Sequence, residues 1–312
     1  MAAPSLSDVQ ARVSQLQSQA ANAAEGAQAA KVQLASLTRT LSGIKQAAAA
    51  QGQTVAQLRK SLGAIAVEQY RSGGLSQSLE LLFSSDPTLY LSSAGSLDAL
   101  TRRKSVQLRK YAVAQQRLNA TTYTVNDKMT LVKAAQARLV AQTAQAQAKL
   151  KEAEKLLAAL KKSDRERLAK LALLQENADQ ASSLALAKQA NGISGRAGIA
   201  LKFALKQIGD RYVFGAAGMI YWDCSGLTMR AYQAAGVSLP HSAAAQANYG
   251  KRVALNALKP GDLVFFGSPI GHVGIYFGGG KMVDAPHTGA RVKVESFGSS
   301  FGWERFVAAR RF

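Results

Sequence analysis

Apolar residues recur at alternating steps of three and four positions from Leu6 to Ile65, and Gln51 is the only interruption of this series. The spacing is typical of the a and d positions of a coiled coil, which form the seam between two helices. We therefore predict a continuous first helix of roughly 90 Å, at about 1.5 Å per residue. Many seam positions are alanine, so each layer buries little apolar area and we expect only moderate stability.

A second series with the same spacing runs from Leu108 to Leu160. Some of its members are polar, which can fix the register of two helices at a cost in stability; they are Gln115, Thr122, Gln136 and Thr143. Together the two series predict an antiparallel coiled-coil hairpin over residues 4–187.

The segment between the two series begins with Ser72-Gly73-Gly74 and is then rich in large apolar residues as far as Leu100. We predict a small helical tip of short helices around residues 72–100. Its apolar side chains either pack against the end of the hairpin or form an exposed docking site for a partner, because exposed apolar patches often mark interfaces.

A change in composition marks a second domain. Residues 188–195 are polar and contain glycine, which predicts a flexible linker. Residues 196–312 then hold most of the glycines, both tryptophans and all three histidines. A helix is expected over residues 199–208 and another from Cys224 to Gly236. Turn signals then separate five predicted strands, over residues 262–266, 272–277, 281–285, 291–297 and 305–310, so this domain is predicted to be α+β.

The net charge of +20 favours anionic partners such as nucleic acid, anionic lipid or acidic wall polymers. The sequence shows none of the motifs of nucleic-acid-binding domains, so we expect no nucleic acid. A simpler interpretation is that many of the lysines are the solvated faces of helices. No run of eighteen apolar residues occurs, so no membrane-spanning helix is expected.

The single cysteine, Cys224, excludes an intrachain disulfide and a cysteine-based zinc site, and no metal or cofactor is expected. Cys224 is predicted at the start of a helix, where the helix dipole would lower the pKa of the thiol and favour the nucleophilic thiolate. His272 opens a predicted strand and is a candidate general base. Asp284, twelve residues later in the next strand, can orient the imidazole as the third member of a triad does.

Four short motifs in this domain resemble the NlpC/P60 family of peptidoglycan endopeptidases, in the family's order and spacing, over about residues 197–312. They are Tyr212-Val213-Phe214-Gly215, Asp223-Cys224-Ser225-Gly226-Leu227, residues 258–266 (Leu-Lys-Pro-Gly-Asp-Leu-Val-Phe-Phe) and residues 271–276 (Gly-His-Val-Gly-Ile-Tyr). The resemblance implies a reduced papain-like fold with Cys224 as nucleophile and His272 as base.

By the same resemblance, Asp284 occupies the third polar position, where family members more often carry histidine, and His287 is the competitor for that role. Tyr212 is implied to help bind the substrate and the oxyanion. Asp223 and Ser225 are implied to contact polar groups of the peptide, or else are simply a helix cap and a first-turn residue. His241 stands where family members often have arginine and is interpreted as structural.

The order of the domains resembles that of cell-division hydrolases whose coiled coil answers to the FtsE–FtsX membrane complex and can cover the active site. The sequence is thus expected to encode a secreted γ-D-glutamyl–diamino acid endopeptidase of the cell wall that is regulated by its hairpin. The first residues carry no signal-peptide pattern, and the start at Met1-Ala2-Ala3-Pro4 is interpreted as that of a mature form whose export signal has been removed. The alternatives are a wall-binding division adaptor, or an amidase or acyltransferase on the same fold.

Overall fold

The computed structural model describes residues 5–71, 87–189, 192–298, 300–301 and 304–312. The chain divides into two compact units. The first contains the residues up to Ala35 together with Ala134–Phe312, and the second is Ser36–Lys133. In the described part of the chain, no helix is both long and apolar enough to cross a membrane.

Two long helices are present where the apolar spacing predicts them, α1 (Leu6–Arg71) and α2 (Pro87–Ala158). Of the predicted tip, residues 72–86 lie outside the described residues. Residues 87–100 are the first turns of α2 rather than separate short helices. A third helix, α3 (Lys162–Gln189), begins at the charge-rich segment where the heptad spacing is lost, and the sequence did not predict it as a separate element.

Within the first unit, the start of α1 packs against the end of α2. One buried cluster joins Val9, Val13 and Leu16 to Ala153. Farther along α1, Ala23 and Ala24 contact Ala146. Because the α2 numbers fall as the α1 numbers rise, these two segments run antiparallel, as the hairpin predicts. The contact layers are small, in keeping with the alanine-rich seam.

The second unit contains the rest of α1 and the start of α2. Leu41 and Val55 are among its buried residues, whereas Tyr70, Val106 and Tyr123 are exposed. The Thr122 hydroxyl, one of the polar seam positions, donates to the carbonyl of Leu118 on its own helix at 2.8 Å. This local bond satisfies the hydroxyl without a partner across the seam.

The C-terminal part of the first unit has the predicted α+β fold. Its helices are α4 (Gly195–Leu205), α5 (Cys224–Ala234) and α6 (Ala243–Gln246), with a 3₁₀ turn at Leu255–Ala257. Its strands are β1 (Arg211–Tyr212), β2 (Tyr221–Trp222), β3 (Lys251–Arg252), β4 (Leu263–Phe266), β5 (His272–Gly278), β6 (Lys281–Asp284), β7 (Lys293–Ser296), β8 (Ser300–Phe301) and β9 (Glu304–Arg311). The five predicted strands correspond to β4, β5, β6, β7 and β9. The two-residue strands had no readable pattern.

The main sheet has the order β3-β9-β4-β5-β6-β7, with β4, β5, β6, β7 and β9 antiparallel to their neighbours. Helices α4 and α5 pack on it through a core that includes Leu201, Leu227 and Ile275, all essentially inaccessible to solvent. Truncating such a residue to alanine typically costs about 2–5 kcal/mol. This core fixes the start of α5 beside the start of β5.

Helix α3 covers the edge strand β7. The Ser183 hydroxyl accepts from the N–H of Val294 at 2.9 Å, and Asp179 lies 3.1 Å from the ammonium of Lys293. A covered edge cannot pair with another strand. The predicted linker begins inside this element, since Lys188 and Gln189 are still helical; residues 190–191 lie outside the described residues.

Candidate active site

Asp223 fixes the position of Cys224 at the first turn of α5. Its carboxylate accepts from the N–H of Gly226 at 2.6 Å and from the N–H of Gly215 at 2.9 Å. Aspartate is among the best residues at this capping position because it satisfies a backbone donor that the helix leaves free. Asp223 is also 2.8 Å from Nε2 of His241. Asp223 therefore acts as the helix cap that was one of its two predicted roles. The contact with Asp223 also agrees with the structural interpretation of His241.

Gly226 allows the first turn of α5 to approach the preceding loop. A Cβ atom at this position would lie 2.3 Å from the carbonyl oxygen of Ala216, which is a backbone atom and cannot move freely. The same carbonyl accepts from the N–H of Asp223 at 2.9 Å. Steric crowding therefore explains why the Asp-Cys-Ser-Gly motif has glycine at this position, since a side chain here would displace Cys224.

His272 and Asp284 are joined across the β5–β6 hairpin, with 2.8 Å between Nε2 and Oδ2. They are not directly opposite. Ile275 pairs with Val283, so Asp284 falls opposite Gly274 and reaches diagonally to His272. A Cβ on Gly274 would lie 2.6 Å from Sδ of Met282 and 3.3 Å from Cβ of Asp284. The absence of a side chain at Gly274 therefore provides the space in which His272 and Asp284 form their diagonal contact.

The thiol of Cys224 is within hydrogen-bond reach of the N–H of Val273 and therefore lies beside the start of β5. Nε2 of His272 faces Asp284, so proton exchange with a thiol would involve the other ring nitrogen, Nδ1. Burial lowers the pKa of His272. Burial also raises the pKa of Asp284, to about 7.

The expected lowering of the thiol pKa is wrong for this conformation. Cys224 is 2% exposed, and its burial raises the pKa of the thiol well above the usual value. The negative charges of Glu25 and Asp223 raise it further. These effects outweigh the dipole of α5, so the thiol keeps its proton while Glu25 is in place.

Glu25 of α1 occupies the site. The resemblance implied that the coiled coil can cover the active site, but Glu25 was not among the predicted site residues. Its Oε1 accepts from Sγ of Cys224 at 3.1 Å and from the hydroxyl of Ser225 at 2.5 Å. Its Oε2 accepts from the N–H of Ala243 at 2.9 Å. The side chain is 3% exposed, and burial, followed by the charge of Asp223, raises the pKa of its carboxyl. Glu25 thus lies directly against the thiol.

Helix α1 has two buried faces at this point. The seam residues Ala20, Ala23 and Ala27 belong to the first, and Ala21, Glu25 and Gln28 belong to the second. Ala24, which also contacts Ala146, lies between the two faces. The steps of three and four within the second set define a stripe along one side of the helix. Glu25 is also the only acidic residue between Asp8 and Glu68. The isolated acidic residue was visible in the sequence and could have singled out Glu25, whereas the burial of the second face was not, because its members are small or polar.

Neighbouring residues of α1 line the same cleft. The Asn22 amide donates a hydrogen bond to Glu304. A Cβ on Gly271 would lie 2.7 Å from the Asn22 side chain, and one on Gly215 would lie 3.1 Å from the Gln28 side chain. Glycines on both walls of the cleft therefore allow the helix to approach closely.

The remaining candidates are Tyr212 and His287. Tyr212 is buried, and the pKa of its hydroxyl is raised first by burial and then by the through-space effect of Cys224. Nδ1 of His287 donates to the carbonyl of Thr288 at 3.0 Å. Asp284, and not His287, makes the hydrogen bond to Nε2 of His272. His287 and Tyr212 instead line a cavity of about 940 Å³ beside the site.

Among the described residues, no group of three or more histidine, cysteine, aspartate or glutamate side chains is arranged to hold a metal ion.

Residues 209–311 match the sequence model of the NlpC/P60 family. A probable endopeptidase of Mycobacterium tuberculosis is 44% identical over 112 residues, covering 36% of this chain and 29% of that protein. The probable endopeptidase p60 of Listeria monocytogenes is 42% identical over 106 residues, covering 33% of this chain and 21% of that protein. The chain therefore spans less than a third of the length of these relatives.

A crystal structure of an NlpC/P60 family protein from Bacillus cereus is 27% identical, covering 37% of this chain and 39% of that one, with a TM-score of 0.35. The region that matches the family contains Tyr212, Cys224, His272 and Asp284.

Proposed function

We propose, from the premise that residues 209–311 are an NlpC/P60 domain, that this chain is a cysteine-type peptidoglycan endopeptidase. The observation that supports it most directly is the hydrogen-bonded pair of His272 and Asp284 beside Cys224 at the start of α5. The matched relatives named as probable endopeptidases support the same reaction class.

In the proposed reaction, Glu25 first leaves the site. Nδ1 of His272 takes the proton of Cys224, and the thiolate attacks the carbonyl carbon of the scissile amide. The backbone N–H of Cys224, which a helix leaves free at its first turn, and the hydroxyl of Tyr212 stabilise the oxyanion. Collapse of this intermediate forms a thioester while His272 gives its proton to the leaving amine. His272 then activates water, which releases the acid and restores the thiol.

The proposed bond is that between D-glutamate and the diamino acid of a peptidoglycan stem peptide. Support comes from the donors around Glu25. The hydroxyl of Ser225 and the N–H of Ala243 both hold its carboxylate, and a γ-linked D-glutamyl residue also carries a free carboxylate. After Glu25 leaves, these donors become available to that group.

Autoinhibition by α1 is the second part of the proposal. A buried carboxylate hydrogen-bonded to the nucleophile excludes the substrate and keeps the thiol protonated. Release therefore requires α1 to move or to be displaced. We propose that the helical hairpin is the regulatory element of a secreted wall enzyme in cell division and that the FtsE–FtsX membrane complex is its partner. The net charge of +20 would attract it to anionic wall polymers.

The test is digestion of purified peptidoglycan by the full chain, by Glu25→Ala, and by Glu25→Ala combined with Cys224→Ala. The proposal predicts release of soluble fragments that increases in Glu25→Ala and disappears when Cys224 is also replaced. Circular dichroism of each variant verifies the fold. Undiminished release by the double variant would contradict a cysteine mechanism.

A further inference from the structure

A cluster of charged side chains lies behind the catalytic pair, on strands β6 and β7. Asp284 pairs with Lys293, and Met282 pairs with Glu295. Side chains on a strand alternate between faces, so Asp284, Lys293 and Glu295 project from the same face of the sheet. The proposed mechanism uses only Asp284 of this cluster.

Two oxygen atoms of this cluster are buried without a hydrogen-bond donor among the described residues. They are Oδ1 of Asp284 and Oε1 of Glu295. Two ionised carboxylates are both acceptors and cannot satisfy each other. The two side chains are nevertheless within hydrogen-bond reach of one another. A single proton held between them would satisfy both buried oxygens.

The surroundings indicate which residue carries that proton. The other oxygen of Asp284 faces Nε2 of His272 at 2.8 Å, a position that favours a carboxylate. The other oxygen of Glu295 is 3.5 Å from the ammonium of Lys293, whose closer partner is Asp179 of α3 at 3.1 Å. Burial, and then the charge of Asp284, raises the pKa of Glu295 to about 8. Because Asp284 accepts the hydrogen bond from His272 and Glu295 has no such donor, the proton belongs on Glu295.

We propose that Glu295 is a positioning residue that, in its protonated form, donates a hydrogen bond to Oδ1 of Asp284. This bond keeps Asp284 in the rotamer in which Oδ2 accepts from His272. Glu295 then acts on the reaction only through Asp284 and does not touch the substrate. The catalytic meaning of the inference rests on the proposed function, but the hydrogen bond itself does not.

Other charged groups surround the pair, and a test must separate them from Glu295. Lys293 comes from β7 and Asp179 from α3. The imidazole of His287 interacts with Lys293 and Glu295. Glu304 and Glu25 act on the charge of His272 through space. Glu304 is the best control, because it is a second partly buried glutamate near His272 that hydrogen-bonds to Asn22.

The experiment follows the imidazole nitrogen shifts of His272 in the full chain by NMR, as a function of pH. The chain has only three histidines, so assignment by substitution is practical. We expect two inflections in the wild type, one near pH 7 from Asp284 and a second near pH 8 from the ionisation of Glu295. Glu295→Gln should lose this second inflection, because glutamine keeps a donor for Asp284 but does not ionise. Glu304→Gln should retain it.

A second readout compares turnover in the Glu25→Ala background. Glu295→Gln should remain within about threefold of its parent, whereas Glu295→Leu, which offers no donor, should lose about 10- to 100-fold in kcat at a nearly constant KM. If Glu295→Leu does not fold, the NMR titration of Glu295→Gln is by itself the test of the hydrogen bond from Glu295 to Asp284.

An inflection near pH 8 that persists in Glu295→Gln, or that disappears in Glu304→Gln, would overturn the inference. The titration needs no turnover. A chain with the predicted titration but no peptidoglycan hydrolysis would therefore contradict the proposed function and not the shared proton.

Discussion

Replacing Glu25 with alanine should expose Cys224 to small thiol reagents. In the wild type, three hydrogen bonds hold the Glu25 carboxylate, from Cys224, Ser225 and the N–H of Ala243. Hydrogen bonds to charged groups contribute about 1.5–3 kcal/mol each. Burying a carboxylate costs several kcal/mol, so much of that gain is offset. We expect a net contribution to the closed state of about 1–3 kcal/mol, which corresponds to roughly 5- to 150-fold in population.

The assay is the rate of alkylation by iodoacetamide at fixed pH, followed by the mass of the intact protein. Because Cys224 is the only cysteine, each modified chain reports on this thiol alone. Removing Glu25 also removes a charge and a hydrogen bond that raise the pKa of the thiol. Both consequences act in the same direction, so Glu25→Ala should react about 10- to 100-fold faster than the wild type.

Glu68→Ala is the matched control, since Glu68 is an exposed glutamate on the same helix. Its rate should equal that of the wild type. The alkylation rate of Glu25→Gln should fall between those of the wild type and Glu25→Ala. The amide oxygen of the glutamine can still accept from Ser225, but its NH₂ group turns a donor toward the N–H of Ala243. Equal alkylation rates for the wild type and Glu25→Ala would show that Glu25 does not close the site.

Three further predictions follow from the geometry of the domain. Gly274→Ala should lower kcat about 100-fold with a modest change in KM, since its Cβ would collide with Met282 and displace Asp284 from His272; an unchanged kcat would contradict this view of the diagonal pair. Asp223→Ala should lower the free energy of unfolding by about 1–3 kcal/mol in urea denaturation, through loss of the α5 cap and of the His241 contact, and unchanged stability would show that the cap is dispensable. The pKa of Glu295 is raised from 4.5 to about 8, so between these pH values the native state holds a proton that the unfolded state releases. The stability that this proton contributes is lost as the pH rises from 4.5 through 8. The free energy of unfolding of Glu295→Gln should therefore fall less than that of the wild type over this interval, and parallel curves would contradict the raised pKa.

The sequence was sufficient for the elements whose signals are local. The long helices follow from a repeated apolar spacing, and the five main strands from alternation between turn signals. Cys224, His272 and Asp284 could be brought together because a helix start and a hairpin with a spacing of twelve residues have predictable geometry. The diagonal placement of Asp284, however, depends on the register of β5 and β6 and on Gly274, which the spacing alone does not specify.

The features that were missed depend on contacts between distant parts of the chain. Glu25 and Cys224 are 199 positions apart, and no local pattern indicates that the N-terminal helix enters the cleft. The pKa of Cys224 was expected to fall because the helix dipole is a local effect, whereas burial and the charge of Glu25 come from this distant contact. The docking of α3 on β7 likewise depends on Ser183 and Asp179 meeting a strand over 100 residues away.

Cleavage of the D-glutamyl–diamino acid bond by Cys224 is tested most directly by the masses of the products from a defined muropeptide. The Glu25→Ala chain is incubated with a stem peptide that contains the D-glutamyl–diamino acid bond, and the fragments are weighed by mass spectrometry. We expect two fragments, divided at that bond and together one water heavier than the substrate, with no products when Cys224 is also replaced by alanine. Fragments divided at another bond would contradict the proposed specificity, and the same fragments from the chain lacking Cys224 would contradict the mechanism.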